Sequence, residues 1–359
     1  MKSALRADPE QQPTDASSTE MNERSLSQRL RLRLGGAAFD YGLTSLGHLA
    51  RLHPRARPGV HAVELLQDVP YQAPHESDKR AHLCDIYRPL TDDAGRPVAG
   101  SPAVYGRPHP IVLYLHGGAF RILSKDTHRS LVLPFARRGC LVFNCNYRLA
   151  PQHPYPAALE DAAAALEFVV REAPRLGGDL SRLILAGESA GGNLVTALSL
   201  MTCVPRTESF ARRAFSVNVV PRVVLPLCGM LQVSDPERFS RRKNLPNWLR
   251  DRLHETRDAY LAGVAAGRHE LADPLLLMEA GLQGRDRPLP AYFASVGTRD
   301  PLLDDTRRLG SALKSLGAAH RIEYYDGELH AFQAIVFRQN AIRFWQHTYE
   351  FLDQHLSPR

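Results

Sequence analysis

Residues 183–193 read LILAGESAGGN, and the fold turns on them. An apolar run over 183–186 stops at Gly187. Glu188, Ser189, Ala190, Gly191 and Gly192 follow, and then Leu194, Val195, Ala197 and Leu198 set an apolar helical spacing. A serine with glycine two residues before and two after, between a strand and a helix, is the pattern G-x-S-x-G. So tight a turn predicts a strained backbone at Ser189, with no room for a side chain at 187 or 191. The hydroxyl is then held above the sheet at a helix N-terminus, whose dipole favours developing negative charge. A chain of this length produces the pentad by chance roughly one time in ten, so further residues must carry the chemistry.

Around this stretch the chain alternates. Strand-like runs occur at HAVELLQDVPYQ (from 61), HLCDIYRP (from 82), IVLYL (111–115), CLVFNCNY (140–147), RLILAG, VVPRVVLPLCG (219–229), LPAYFASVG (289–297) and HRIEYYD (320–326). Helical patterns separate the later ones: one ending near Arg138, one over about 156–171, one after Ser189, one over about 304–316 and a last one to about Leu356. Strands almost continuous in apolar residues, with helices between them, predict an α/β fold. Its mostly parallel central sheet of about eight strands would be covered by helices on both faces. The Gly- and Pro-rich residues 91–110 read as a loop. Residues 231–273 contain no strand pattern, and Trp248, Leu249, Leu253 and Tyr260 have helical spacing. This segment is expected to be an insertion at the carboxyl edge of the sheet, where a lid would arise.

At the front, residues 1–23 are polar and rich in Pro, Ser, Thr, Gln and Glu, which predicts a disordered tail. Residues 24–60 are expected to form an N-terminal helical lid segment, opening with the basic RSLSQRLRLRL; residues 61–359 form the catalytic domain. A weak peripheral membrane contact through the Arg/Leu stretch stays open, with a helix packed on the body the plainer reading. No run approaches the 18 or so apolar residues of a spanning helix. The first residues lack the apolar centre of a secretory signal, so a cytoplasmic location is expected.

The 359 residues are 44% hydrophobic and 23% charged, enough for a large core. The net charge of +7 comes without a basic block or nucleic-acid motif, so no nucleic-acid partner is expected. Residues 204–260 hold eleven Arg or Lys against six Asp or Glu, most of that surplus. Five cysteines lack C-x-x-C spacing and read as buried thiols; neither a disulfide framework nor a zinc site is indicated. The sequence carries no signal of oligomeric state.

Four pieces fall into chain order. IVLYLHGGAF puts His116, Gly117 and Gly118 past a strand end, where successive glycines let N–H groups converge on one point. The elbow follows, with Ala190 offering another N–H. ASVGTRDPLLDD then places Asp300, and YYDGELHAF places His330, each in a loop after a strand. Ser189, Asp300, His330 is the nucleophile, acid, base order of an α/β-hydrolase. His320 opens a strand and His347 lies in the last helix, so His330 is the preferred base. Asp304 and Asp305 suit the first turn of the following helix better than a catalytic role. His116 is read as shaping its loop, and Tyr147, Arg148 and Asp161 as structural hydrogen-bonding residues. Lys125 and Glu188 could serve only in support. Position 192 is not lysine, so a serine/lysine mechanism has no basis.

The sequence resembles the hormone-sensitive-lipase-like family of esterases. HGGAF (116–120), YRLAP (147–151), GESAGGN (187–193), RDPLLDD (299–305) and DGELHAF (326–332) carry the likeness, which runs over about 61–355. Ala119 stands where a third glycine is common, and Glu188 where Asp or Thr is frequent. The resemblance implies a serine esterase acting on small-molecule esters with short to medium acyl chains. Ser189, Asp300 and His330 would be catalytic, with Gly117, Gly118 and Ala190 as the oxyanion hole and no metal or cofactor. Amide, lactone or carbamate hydrolysis by the same triad is the alternative. A non-catalytic ligand receptor on this scaffold is the more distant one.

Overall fold

The computed structural model describes residues 41–356 apart from 43, 46, 50–51, 54–55, 93, 99–103, 243–244 and 266. The expected tail over 1–23 and the basic stretch 24–34 lie outside the described residues. The chain separates into Met1–Gly42, of which Tyr41 and Gly42 are described and helical, and Leu43–Arg359, which holds everything below.

Eight strands form one sheet: β1 (Val63–Pro70), β2 (Leu83–Pro89), β3 (His109–Leu115), β4 (Leu141–Cys145), β5 (Gly178–Glu188), β6 (Val223–Leu227), β7 (Ala291–Gly297) and β8 (His320–Tyr325). Their order across the sheet is β1-β2-β4-β3-β5-β6-β7-β8. The pairs β1/β2 and β2/β4 are antiparallel and the rest parallel. The helices are α1 (Arg129–Arg137), α2 (Ala157–Glu172), α3 (Ala190–Cys203), α4 (Ser209–Ser216), α5 (Glu237–Arg242), α6 (Asn247–Tyr260), α7 (Pro274–Glu279), α8 (Leu303–Ser315) and α9 (Gln339–Leu356).

Side-chain alternation divides the core in two. Leu113, Phe143 and Leu185 lie side by side on β3, β4 and β5 and face one layer, with Leu159 and Leu166 of α2 and Leu194, Leu198 and Met201 of α3. Val112, Val142 and Ile184 face the other, against Phe135 of α1 and Phe344 and Phe351 of α9. Burial on both faces explains why these strands read as unbroken apolar runs rather than alternating ones. The expected eight-stranded α/β architecture is therefore present. The short helices α4 and α7, of 8 and 6 residues, had no counterpart in the sequence reading, because two turns give too few positions to set a period.

Among the described residues, 231–273 contain α5, α6 and a 3-10 turn (Glu270–Ala272), with no strand. Both ends are pinned to the body. Asn193 of α3 donates through Nδ2 to the carbonyls of Met230 and Ala272, each at 2.8 Å. Asp305 of α8 accepts from the N–H groups of Leu231 and Gln232 and pairs with Arg238 of α5 at 2.7 Å. Asp273 accepts from Val233 and Ser234. Buried carboxylates thus take up backbone donors that the irregular segment leaves without ladder partners.

Candidate active site

The apolar strand β5 ends at Glu188 and α3 begins at Ala190, which leaves Ser189 alone to reverse the chain. Its backbone sits at φ 54°, ψ −115°, a region an L-residue occupies at a cost of about 1–3 kcal/mol. Bonds from Ser189 N–H to Leu227 O and from Met230 N–H to Ser189 O hold it there. The glycine two residues on is obligatory: a Cβ on Gly191 would stand 2.0 Å from the carbonyl oxygen of Leu115 on the adjoining strand. The serine lies at the carboxyl end of a central strand and at a helix N-terminus, as its pattern predicted.

Asp300 and His330 come from the loops after β7 and β8. Asp300 is fully buried; its Oδ1 accepts from Leu302 N–H at 2.8 Å, and its Oδ2 lies 2.8 Å from His330 Nδ1. The His330 side chain is 35% exposed. Burial opposes its protonation, but the adjacent Asp300 carboxylate outweighs that and holds its pKa well above the ordinary histidine value. One further group is here that sequence reasoning passed over. Cys228, at the end of β6, has its sulfur beside this pair: ligand atoms of Cys228, Asp300 and His330 all lie within 4.8 Å of one another.

The loop after β3 departs from expectation at one position. Gly118 has φ 113°, and a Cβ there would meet Ile122 O at 2.1 Å, so only glycine fits. Ala119 and Phe120 follow at φ 55° and 59°. Gly117, expected as an oxyanion donor, instead gives its N–H to Glu188 Oε1 at 2.5 Å. The reason is the buried carboxylate next to Ser189, which must collect donors. It also accepts from Tyr114 Oη and lies 2.5 Å from His128 Nε2. Burial disfavours charge on both His128 and Glu188. Their mutual attraction prevails, raising the pKa of the histidine and lowering that of the carboxyl. An ion pair therefore lies under the loop. His128 and Tyr114 gave no signal in the sequence, since a lone histidine at a helix start and a tyrosine in a core strand read as packing.

His116 is buried, stacks on Tyr147 with ring centroids 4.3 Å apart, and has its pKa pushed down to about 3 by burial and the nearby His128. It is a neutral wedge that shapes the loop. Arg148 binds Asp161 through its backbone N–H and its guanidinium, and Tyr147 Oη donates to His116 O. The insertion touches the same loop: Tyr260 of α6 stacks on Phe120 at 3.8 Å, and Glu255 pairs with Arg121 at 3.2 Å. Arg206, Arg213, Arg238, Arg252 and Arg257 of the basic region are paired with carboxylates. A cavity of about 660 Å³ lined by Arg107, Arg182 and Arg222 opens at the opposite, amino edge of the parallel strands and holds none of the expected site residues.

A serine elbow, a buried acid paired with a histidine, and a left-handed glycine loop at one sheet edge define an α/β-hydrolase scaffold. The family model described as alpha/beta hydrolase fold matches residues 112–334. The chain belongs to that family, in its hormone-sensitive-lipase-like branch. It is similar to the esterase LipI of Mycobacterium tuberculosis, 33% identical over 218 residues that make up 58% of this chain and 61% of that protein. The carboxylesterase NlhH of the same species is 32% identical over 212 residues, 58% and 62% of the two chains. The chain thus spans about three fifths of the length of these curated relatives. The crystal structure of esterase LipW from Mycobacterium marinum shares the fold, with a TM-score of 0.69 and 24% identity over 90% of each chain. Among the described residues no helix is long and apolar enough to cross a membrane.

Proposed function

We propose that the protein is a serine esterase that cleaves small carboxylic esters, with short to medium acyl chains, through an acyl-enzyme. The observation that carries this reading is the 2.8 Å contact between His330 Nδ1 and the buried Asp300, at the same sheet edge as the strained Ser189. With Nδ1–H committed to the carboxylate, Nε2 is the basic nitrogen that takes the Ser189 proton as the hydroxyl attacks the ester carbonyl. Asp300 fixes the tautomer and stabilises the imidazolium. The proton passes to the leaving alcohol, and water activated by the same imidazole then cleaves the acyl-enzyme.

The oxyanion falls to the N–H groups of Gly118, Ala119 and Ala190. Gly117 serves the hole indirectly, because its bond to Glu188 anchors the loop. The 231–273 insertion acts as a lid, touching the loop after β3 through Tyr260 and Glu255. Relatives named as esterases support the activity.

The test is Ser189→Ala, assayed on p-nitrophenyl esters of increasing chain length. Turnover should fall by about 10⁴- to 10⁶-fold with the far-ultraviolet circular dichroism intact, and a fluorophosphonate should label the native serine. Full activity in the folded variant would remove the assignment.

A further inference from the structure

We propose that Cys228, Asp300 and His330 form an inhibitory site for a thiophilic divalent cation such as zinc. Three ligand types meet there: a sulfur, a carboxylate oxygen and an imidazole nitrogen, all within 4.8 Å of one another. Atoms bound tetrahedrally to zinc stand roughly 3.3–3.8 Å apart. The 2.8 Å between Asp300 Oδ2 and His330 Nδ1 and the 4.8 Å upper bound bracket that spacing, so rotations of the side chains are enough.

The sulfur is held in place. Cys228 has φ 38°, its N–H donates to Ser295 O at 2.8 Å, and Gln333 Nε2 points at its Sγ from 3.8 Å. Gln333 is itself buried, and its Oε1 has no hydrogen-bond partner among the described residues, which adds an acceptor close by. The cysteine and aspartate are buried while the His330 side chain is 35% exposed, so a cation reaches the pair from the solvent side of the imidazole.

Binding releases the thiol proton to solvent, and thiolate and carboxylate together neutralise the 2+ charge. The cation displaces the proton between His330 and Asp300; in the neutral imidazole that proton moves to Nε2, which can then no longer take the Ser189 proton. Cys228 has no part in the proposed hydrolysis. Inhibition rests on the esterase reading; metal binding does not.

Cobalt(II) chloride titrated into the full chain should produce a near-ultraviolet sulfur-to-cobalt charge-transfer band, absent in Cys228→Ala and Cys228→Ser variants whose circular dichroism is native. Zinc sulfate should inhibit p-nitrophenyl acetate hydrolysis, reversibly by EDTA, with an inhibition constant at least about 10-fold higher in whichever variant is folded. A band that persists in the folded variants, or zinc inhibition equal to that of the parent, overturns the site. A band without any esterase activity would uphold the site and refute the esterase reading; activity with neither band nor zinc inhibition would do the reverse.

Discussion

The N–H of Gly117 donates to the carboxylate of Glu188 at 2.5 Å, so the residue before the nucleophile holds the loop that faces it. The same carboxylate lies 2.5 Å from His128. Loop, elbow and the N-cap of α1 are thereby tied at one buried point.

Glu188→Gln keeps an acceptor for Gly117 but leaves His128 without its counter-charge. Breaking a buried pair from one side commonly costs about 3–5 kcal/mol, and a denaturant midpoint should shift accordingly. The loop would also move, lowering kcat by roughly 10²-fold with a smaller change in KM. A variant as stable and as active as the parent would show that the ion pair does not support the loop.

The pH profile follows from His330. Because Asp300 holds its pKa above the usual histidine value, the imidazole is charged over a wider range, and only the neutral form can take the serine proton. The acid limb of kcat/KM should therefore have its midpoint above pH 6.5 and fall away below it. Asp300→Asn removes the larger cause, the neighbouring Cys228 being the lesser one: the limb should move to lower pH while kcat drops by about 10⁴-fold. For stability the sign is opposite. The His330–Asp300 attraction contributes most below the unfolded histidine pKa and is lost as pH rises through the folded one.

Gly191→Ala places a methyl group 2.0 Å from Leu115 O, backbone against backbone, with no flexible side chain to give way. The loss of stability should be at least about 1–3 kcal/mol, read from urea unfolding. A neutral substitution would mean that β3 and α3 separate more readily than their packing implies.

Asp305→Ala strips Arg238 and the N–H groups of Leu231 and Gln232 of their shared acceptor. Stability should fall by about 3–5 kcal/mol, and limited proteolysis should cut within 231–273 before it cuts the sheet. Uniform cleavage across the chain would show that the insertion is not anchored there.

Much was legible in the residues alone. Covered parallel strands need apolar side chains on both faces, so IVLYL, RLILAG and AYFASVG announce themselves, and a chain reversal in one residue demands glycines at 187 and 191. Ser189, Asp300 and His330 each follow a strand, and chain order alone groups them. The tertiary structure decided what depends on distance between segments remote in sequence. Glu188 takes the Gly117 N–H because a buried charge gathers whatever donors surround it, and those donors come from β3, its loop and the residue just before α1. Cys228 stands beside the Asp300–His330 pair because β6 lies between β5 and β7, an order of strands that no local pattern encodes.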